Sequence, residues 1–217
     1  MRKRILPLLT LAAVLLTGCG NAATTCTNYV QAVMDCTYAG RTADYIAYTH
    51  AEEAAAQALY TQEVAYVSAL VEHQASVNGD YISQETAEQF EQIAQTLLDK
   101  TEYRVESAVR TGETFQITVN TAPLDFWDNA LPELERVYTK EFAEHFYKTP
   151  PAGDAYEALE GKWGERAAEV LLPFAEETAP GEMQSVVVTV SVDASQHYAI
   201  SEENWRAIDN VIFGAGA

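Results

Sequence analysis

Tyr103-Arg-Val-Glu-Ser-Ala-Val-Arg-Thr-Gly-Glu-Thr-Phe-Gln-Ile-Thr-Val-Asn-Thr121 is where the apolar period of this chain changes from 3.6 to 2. Tyr103, Val105, Ser107 and Val109 alternate with Arg104, Glu106, Ala108 and Arg110. Beyond Thr111-Gly112-Glu113, Phe115, Ile117 and Val119 alternate with Gln116, Thr118 and Asn120. Alternation of this kind predicts a β-hairpin with one wet face, in an antiparallel sheet covered on one side.

Helices are predicted on both sides of it. A first helix spans about Thr27 to Ala39 and stops at Gly40. Thr49-His-Ala-Glu52 reads as a capping box opening a long helix to about Ser76, with Tyr60, Val64, Val67 and Val71 at helical spacing. A third, about 84–100, carries Phe90, Ile93, Ala94, Leu97 and Leu98 on one stripe. After Pro123 a helical segment begins near Asp125, is interrupted or restarted at Pro132, and buries Leu134, Val137, Tyr138, Phe142 and Phe146. The next follows Asp154, holds Leu159, Trp163, Ala167, Val170 and Leu171 inward, and is expected to kink at Pro173. Val186, Val188, Val190 and Val192 share one face of a strand whose partner is His197–Ile200. Ser201 then caps a last helix ending at Gly214. The fold class read from this pattern is α+β: about six helices on one face of a small, roughly four-stranded antiparallel sheet.

The charge is lopsided. The 217 residues hold 32 acidic and 13 basic side chains, a net −19, and three of the basic ones are Arg2, Lys3 and Arg4. Without that stub the chain has 10 basic and 32 acidic residues, a net −22. Nucleic acid is excluded as a partner, because phosphate contact needs a basic face. Residues are 48% hydrophobic and 10% aromatic, enough to fill a core, so disorder is excluded as well.

The stub leads into an apolar run, Ile5 to Leu16. Twelve residues make about 18 Å of helix, too short for a hydrocarbon core of roughly 30 Å, so the run reads as the apolar part of an export signal. Its end, Leu16-Thr17-Gly18-Cys19, resembles the lipobox of bacterial lipoproteins. That resemblance implies cleavage between Gly18 and Cys19, a diacylglyceryl group (with palmitate among its chains) on the Cys19 thiol, and a protein held by membrane lipid at the extracytoplasmic face of the cell membrane. The chain then divides into a signal peptide (1–18), a lipidated Cys19 with a short tether (19–26), and one α+β domain (27–217). Anionic headgroups are expected to repel so acidic a globule.

Tyr29-Val-Gln-Ala-Val-Met-Asp-Cys-Thr-Tyr-Ala-Gly40, Pro123-Leu-Asp-Phe126 and Tyr198-Ala-Ile-Ser-Glu-Glu-Asn-Trp205 resemble an uncharacterised family of lipoproteins from Gram-positive bacteria. The resemblance implies the address and the fold. It carries no catalytic residue.

Chemistry is sparse. No Gly-x-Ser-x-Gly elbow, Ser-x-x-Lys pattern or calcium loop occurs, and His50, His73, His145 and His197 are scattered. Glu141 and His145 read as a surface pair on one helix. No cofactor or metal is expected. Cys26 and Cys36 lie ten residues apart, about 15 Å along a helix and too far for a disulfide. Cys36 reads as a core residue and Cys26 as part of the tether. Tyrosine is concentrated in Tyr29, Tyr38, Tyr45, Tyr48, Tyr60 and Tyr66. Of these Tyr38, Tyr45 and Tyr48, near the Gly40 break, are the candidates for a ligand cleft. The function read from all this is a non-catalytic binding or interaction module of the cell envelope. The alternatives are an envelope hydrolase using a carboxylate pair, which requires both acids in one cleft, and a structural partner of another envelope protein.

Overall fold

A computed structural model describes residues 22–148, 150–192 and 198–214. Gly18, Cys19 and His197, and the processing read from them, lie outside the described residues. Along the chain come α1 (Ala22–Ala39), α2 (Thr42–Thr49), α3 (Glu53–Gln74), α4 (Gln84–Asp99), β1 (Tyr103–Val105), β2 (Val109–Thr111) and β3 (Thr114–Thr121). Then follow α5 (Phe126–Glu141), α6 (Ala143–Tyr147), α7 (Asp154–Glu177), β4 (Gln184–Val192), β5 (Tyr198–Ile200) and α8 (Glu202–Phe213).

β3 is the spine of the sheet. β1 and β2 lie in line along one of its edges, β4 along the other, and β5 beyond β4, all antiparallel. Phe115, Ile117 and Val119 of β3 and Val188 and Val190 of β4 are buried beneath α1 and α8. The opposite face presents Gln116, Ser185, Val187 and Ser191 to solvent. The α+β architecture with a half-covered antiparallel sheet is therefore the observed one. α3, α4, α7 and α5 pack one on the next beyond α1.

The hairpin that announces the sheet is not regular. Val105 pairs with Val119, but Val109 pairs with Gln116. Three residues (106–108) thus face two (117–118), which is a β-bulge. One extra residue sends every later side chain to the other face. Val109, expected inside, is 63% exposed, and Arg110 sits over the Phe115 ring, 6.0 Å from its centroid. The displaced Ala108 turns inward, and its N–H donates to Thr27 Oγ1 at 2.8 Å.

Three further expectations are corrected. Thr49 to Glu52 do not form a capping box. Thr49 ends α2, its hydroxyl donating to the Tyr45 carbonyl (2.7 Å), while His50 takes a left-handed turn and Glu52 makes no side-chain cap to α3. Cys26 is not in a tether. It lies fully buried inside α1, which already begins at Ala22. Both Cys26 and Cys36 are free thiols, and burial pushes them up to about 12 and about 11. Finally, Glu141 and His145 are not on one helix: the chain breaks at Phe142, and Glu141 pairs with Arg166 at 3.2 Å. α2 and α6 account for the two helices beyond the six expected. α5 and α7 run through Pro132 and Pro173.

Between α3 and α4 the chain is pressed against α7, and glycine permits it. A Cβ on Gly161 would lie 2.8 Å from the Tyr81 carbonyl oxygen. Helix propensity favours alanine there by about 1 kcal/mol, but a clash with backbone costs about 1–3 kcal/mol. Gly161→Ala is therefore expected to destabilise the fold, read as a lower urea midpoint; a higher midpoint would show that the 77–83 segment yields freely.

Candidate functional site

The three tyrosines of the expected cleft do not converge on one. Tyr38 is fully buried: its hydroxyl donates to Asp209 Oδ1 at 2.6 Å, and its ring stacks on Trp205 with centroids 5.3 Å apart. Tyr45 is 4% exposed, and Tyr48 is half-buried against the core. All three follow the helical stripes of α1 and α2, so the periodicity that places them also buries them.

The Gly40 break nevertheless borders a groove of about 670 Å³, and Tyr38 is part of its wall. α1 ends because Gly40 turns left-handed (φ 63°), which sends Arg41 outward from the helix end. Gln31 and Asp35 lie on the last turns of α1, Asp99 ends α4, Glu102 and Tyr103 enter β1, and Met183 precedes β4. Asp35 Oδ1 collects three donors: the Tyr103 hydroxyl (2.7 Å), Arg41 Nη2 (2.5 Å) and Gln31 Nε2 (3.1 Å). The Tyr103 hydroxyl in turn accepts from Arg41 Nη2 at 3.2 Å. Burial, then the bond to Asp35, raises the Tyr103 phenol above its ordinary range, so it stays a donor at neutral pH.

Two guanidinium groups (Arg41 and Arg104) and two carboxylates (Asp99 and Glu102) line this groove. Arg41 is 64% exposed in its side chain despite its partners, which leaves donors for a ligand. Such a lining suits a ligand that bears both charges. Tyrosine clustering points to Tyr38 but not to Arg41 or Tyr103. The signal for those two was present: an arginine directly after a helix-stopping glycine, and an aromatic at the first position of a strand.

A second concavity of about 400 Å³ lies between α5 and the end of α3, lined by Tyr138, Tyr147, Leu131 and Ser76 among others. Among the described residues that line it, Glu135 alone is charged. None of the tyrosine candidates reaches it.

The carboxylate pair that a hydrolase would need has a counterpart in Glu63 and Asp209, but neither acid lines either concavity: Asp209 lies behind the groove wall, bonded to the Tyr38 hydroxyl. Glu63 is 2% exposed and Asp209 fully buried, where α3 and α8 meet α1. Arg206 Nη1 lies 2.5 Å from Asp209 Oδ2 and 3.7 Å from Glu63 Oε1, and its guanidinium stacks 3.6 Å above the centre of the Tyr66 ring. Burial, then the neighbouring Asp209 charge, drives the Glu63 carboxyl well above its usual range. Burial also raises Asp209, against the pull of Tyr38 and Arg206. The cluster therefore sets two buried carboxyl groups against one guanidinium, and burial favours the neutral form of both, Glu63 the more strongly because Arg206 lies nearer to Asp209. It joins α1, α3 and α8 through polar groups beneath the Tyr38 and Trp205 rings.

Among the described residues no helix is long and apolar enough to cross a membrane. No family model matches the chain, and no curated relative does. Among solved structures, the crystal structure of a candidate lipoprotein, ycdA, from Bacillus subtilis is similar, with a TM-score of 0.57 at 10% identity over 88% of this chain and 57% of that one. The chain thus spans little more than half of ycdA, and at this identity the likeness is one of fold.

Proposed function

We propose that this chain is a lipid-anchored extracytoplasmic binding module, acylated at Cys19, that offers the Arg41–Tyr103 groove to a zwitterionic ligand of the cell envelope. The observation that carries the reading is the box Leu16-Thr17-Gly18-Cys19, two residues (Gly20 and Asn21) ahead of a folded domain with no described spanning helix. The fold shared with a candidate lipoprotein supports the same address. The groove supports binding: two of the ten basic residues outside the stub meet two acids there, in a molecule otherwise dominated by negative charge.

The test has two arms. The intact mass of the membrane-extracted protein should begin at Cys19 and include a diacylglyceryl group; an unmodified chain retaining residues 1–18 would overturn the anchor. Short zwitterionic peptides, dialanine and lysyl-alanyl-alanine, are then titrated against thermal unfolding. A ligand at a hundredfold its Kd adds about 2.7 kcal/mol, or roughly 5–11 °C for a domain of this size. Arg41→Ala should abolish the shift while lowering the unliganded midpoint by no more than about 4 °C, since an exposed ion pair contributes only about 0–1 kcal/mol. No shift with either peptide, or a shift that survives Arg41→Ala, would sink the assignment of this groove.

A further inference from the structure

The anchor, the sheet and the charge distribution together define how the domain stands on its membrane. Cys19 is three residues before Ala22, the first described residue of α1, a reach of about 10 Å. The start of α1 must therefore lie close to the lipid surface. That start is bonded to one end of the sheet: Thr27 Oγ1 accepts from the Ala108 N–H, the Tyr29 ring lies 5.7 Å from Tyr198, and Tyr198 lies 6.1 Å from Phe115. The β2–β3 hairpin is consequently the sheet end nearest the anchor.

This pole differs from the rest of the molecule in charge. Residues 22–34 of α1 carry no charged side chain, and residues 109–116 carry only Arg110 and Glu113, which balance. Apart from Asp193, which follows the end of β4 paired with the start of β3, the net −22 belongs to the remaining chain. At the hairpin itself Val109 is 63% exposed, because the bulge turns it outward. An anionic bilayer repels the acidic body and tolerates the neutral pole, so repulsion acts as a torque rather than a lift.

We infer that the start of α1 and the β2–β3 hairpin rest against the headgroups of an anionic bilayer, with the Arg41–Tyr103 groove held away from the membrane at the opposite end of α1 and of the sheet. Two rulers give the same height. α1 rises about 26 Å from Ala22 to Ala39. β3 runs about 23 Å from Thr114, opposite Ser191, to Thr121, opposite Gln184, beside Met183 at the groove. The inference rests on the lipid anchor proposed above.

The experiment uses the lipidated full chain in vesicles of phosphatidylcholine and phosphatidylglycerol. Cys26 and Cys36 are buried, so single fluorophores are attached through Val109→Cys or Met183→Cys, and a headgroup-attached spin label is the quencher. Strong loss of emission from the Val109 site and full emission from the Met183 site is the expected result. Equal quenching at both, or quenching at Met183 alone, overturns the orientation while co-flotation with the vesicles still upholds the anchor. Failure to co-float overturns both. As a second variant, Val109→Glu combined with Arg110→Glu makes the pole acidic. With the label on Gln116→Cys, this change should reduce quenching, and unchanged quenching would count against the charge argument.

Discussion

Replacing Asp209 with alanine is expected to lower the unfolding free energy by about 3–5 kcal/mol, the cost of removing one partner from a buried ionic cluster. Asp209 is fully buried, and both its oxygens are used: Oδ1 accepts from Tyr38 and Oδ2 from Arg206. Alanine would leave the Tyr38 hydroxyl without its acceptor and the guanidinium of Arg206 without its nearer carboxylate. Glu63→Gln should differ sharply, because burial and the neighbouring Asp209 charge favour the neutral form of Glu63, which glutamine resembles, and a loss below about 1 kcal/mol is expected. Urea midpoints of the two variants decide the matter. Equal losses would show that Glu63 is ionised in the folded protein.

The same cluster fixes a direction of pH dependence. Glu63 has a folded pKa raised above its unfolded value, so the folded state keeps a proton that the unfolded chain releases above about pH 4.3. Its stabilisation is complete below that value and is lost as pH rises toward the folded pKa. Asp209 shifts in the same sense. Glu63→Gln removes the Glu63 contribution, so its stability should fall less between pH 5 and pH 8 than that of the native chain. The comparison cancels the general self-repulsion of the acidic surface.

What could be read from the chain depended on how far each signal reaches along it. Period is local, so α1, α3, α4, α7, α8 and the strands β3 and β4 are legible from spacing, though not their pairing with each other, as are the Ser201 cap (accepting from the Asn204 N–H at 3.2 Å) and the left-handed Gly214. The bulge at 106–108 was not, because alternation in β1 and β2 is intact on paper. Only pairing with β3 and the bond to Thr27, 81 residues away in sequence, reveals the extra residue. α2 was missed because Thr49 and Glu52 mimic a helix start, although Tyr45 and Thr49 already stand at helical spacing. Tyr38 illustrates the limit for sites. Its closeness to Gly40 was readable, but its partner Asp209 lies 171 residues on, and it is that bond which commits Tyr38 to the core. Arg41 and Tyr103 meet across 62 residues for the same reason.

Trp163→Ala is expected to cost about 3–5 kcal/mol, the usual range for emptying a large aromatic from a core. Trp163 is 2% exposed on α7, edge-on to Tyr138 (centroids 4.9 Å apart) and Phe142 (5.3 Å), and so joins α7 to α5 and the chain break before α6. Its indole N–H donates to the Ala75 carbonyl at 3.1 Å. That bond secures the exit from α3, where Ser76 holds a left-handed φ of 56° without the freedom of glycine. Trp163→Phe separates the two roles: most of the ring remains, but the carbonyl loses its donor, and a loss of about 1–3 kcal/mol is expected. If the hydrogen bond restrains Ser76, then Ser76→Gly should recover part of the Trp163→Phe loss, beyond any gain it gives in the native background. Strict additivity of the two changes in urea unfolding would mean that Trp163 stabilises the domain through its volume alone.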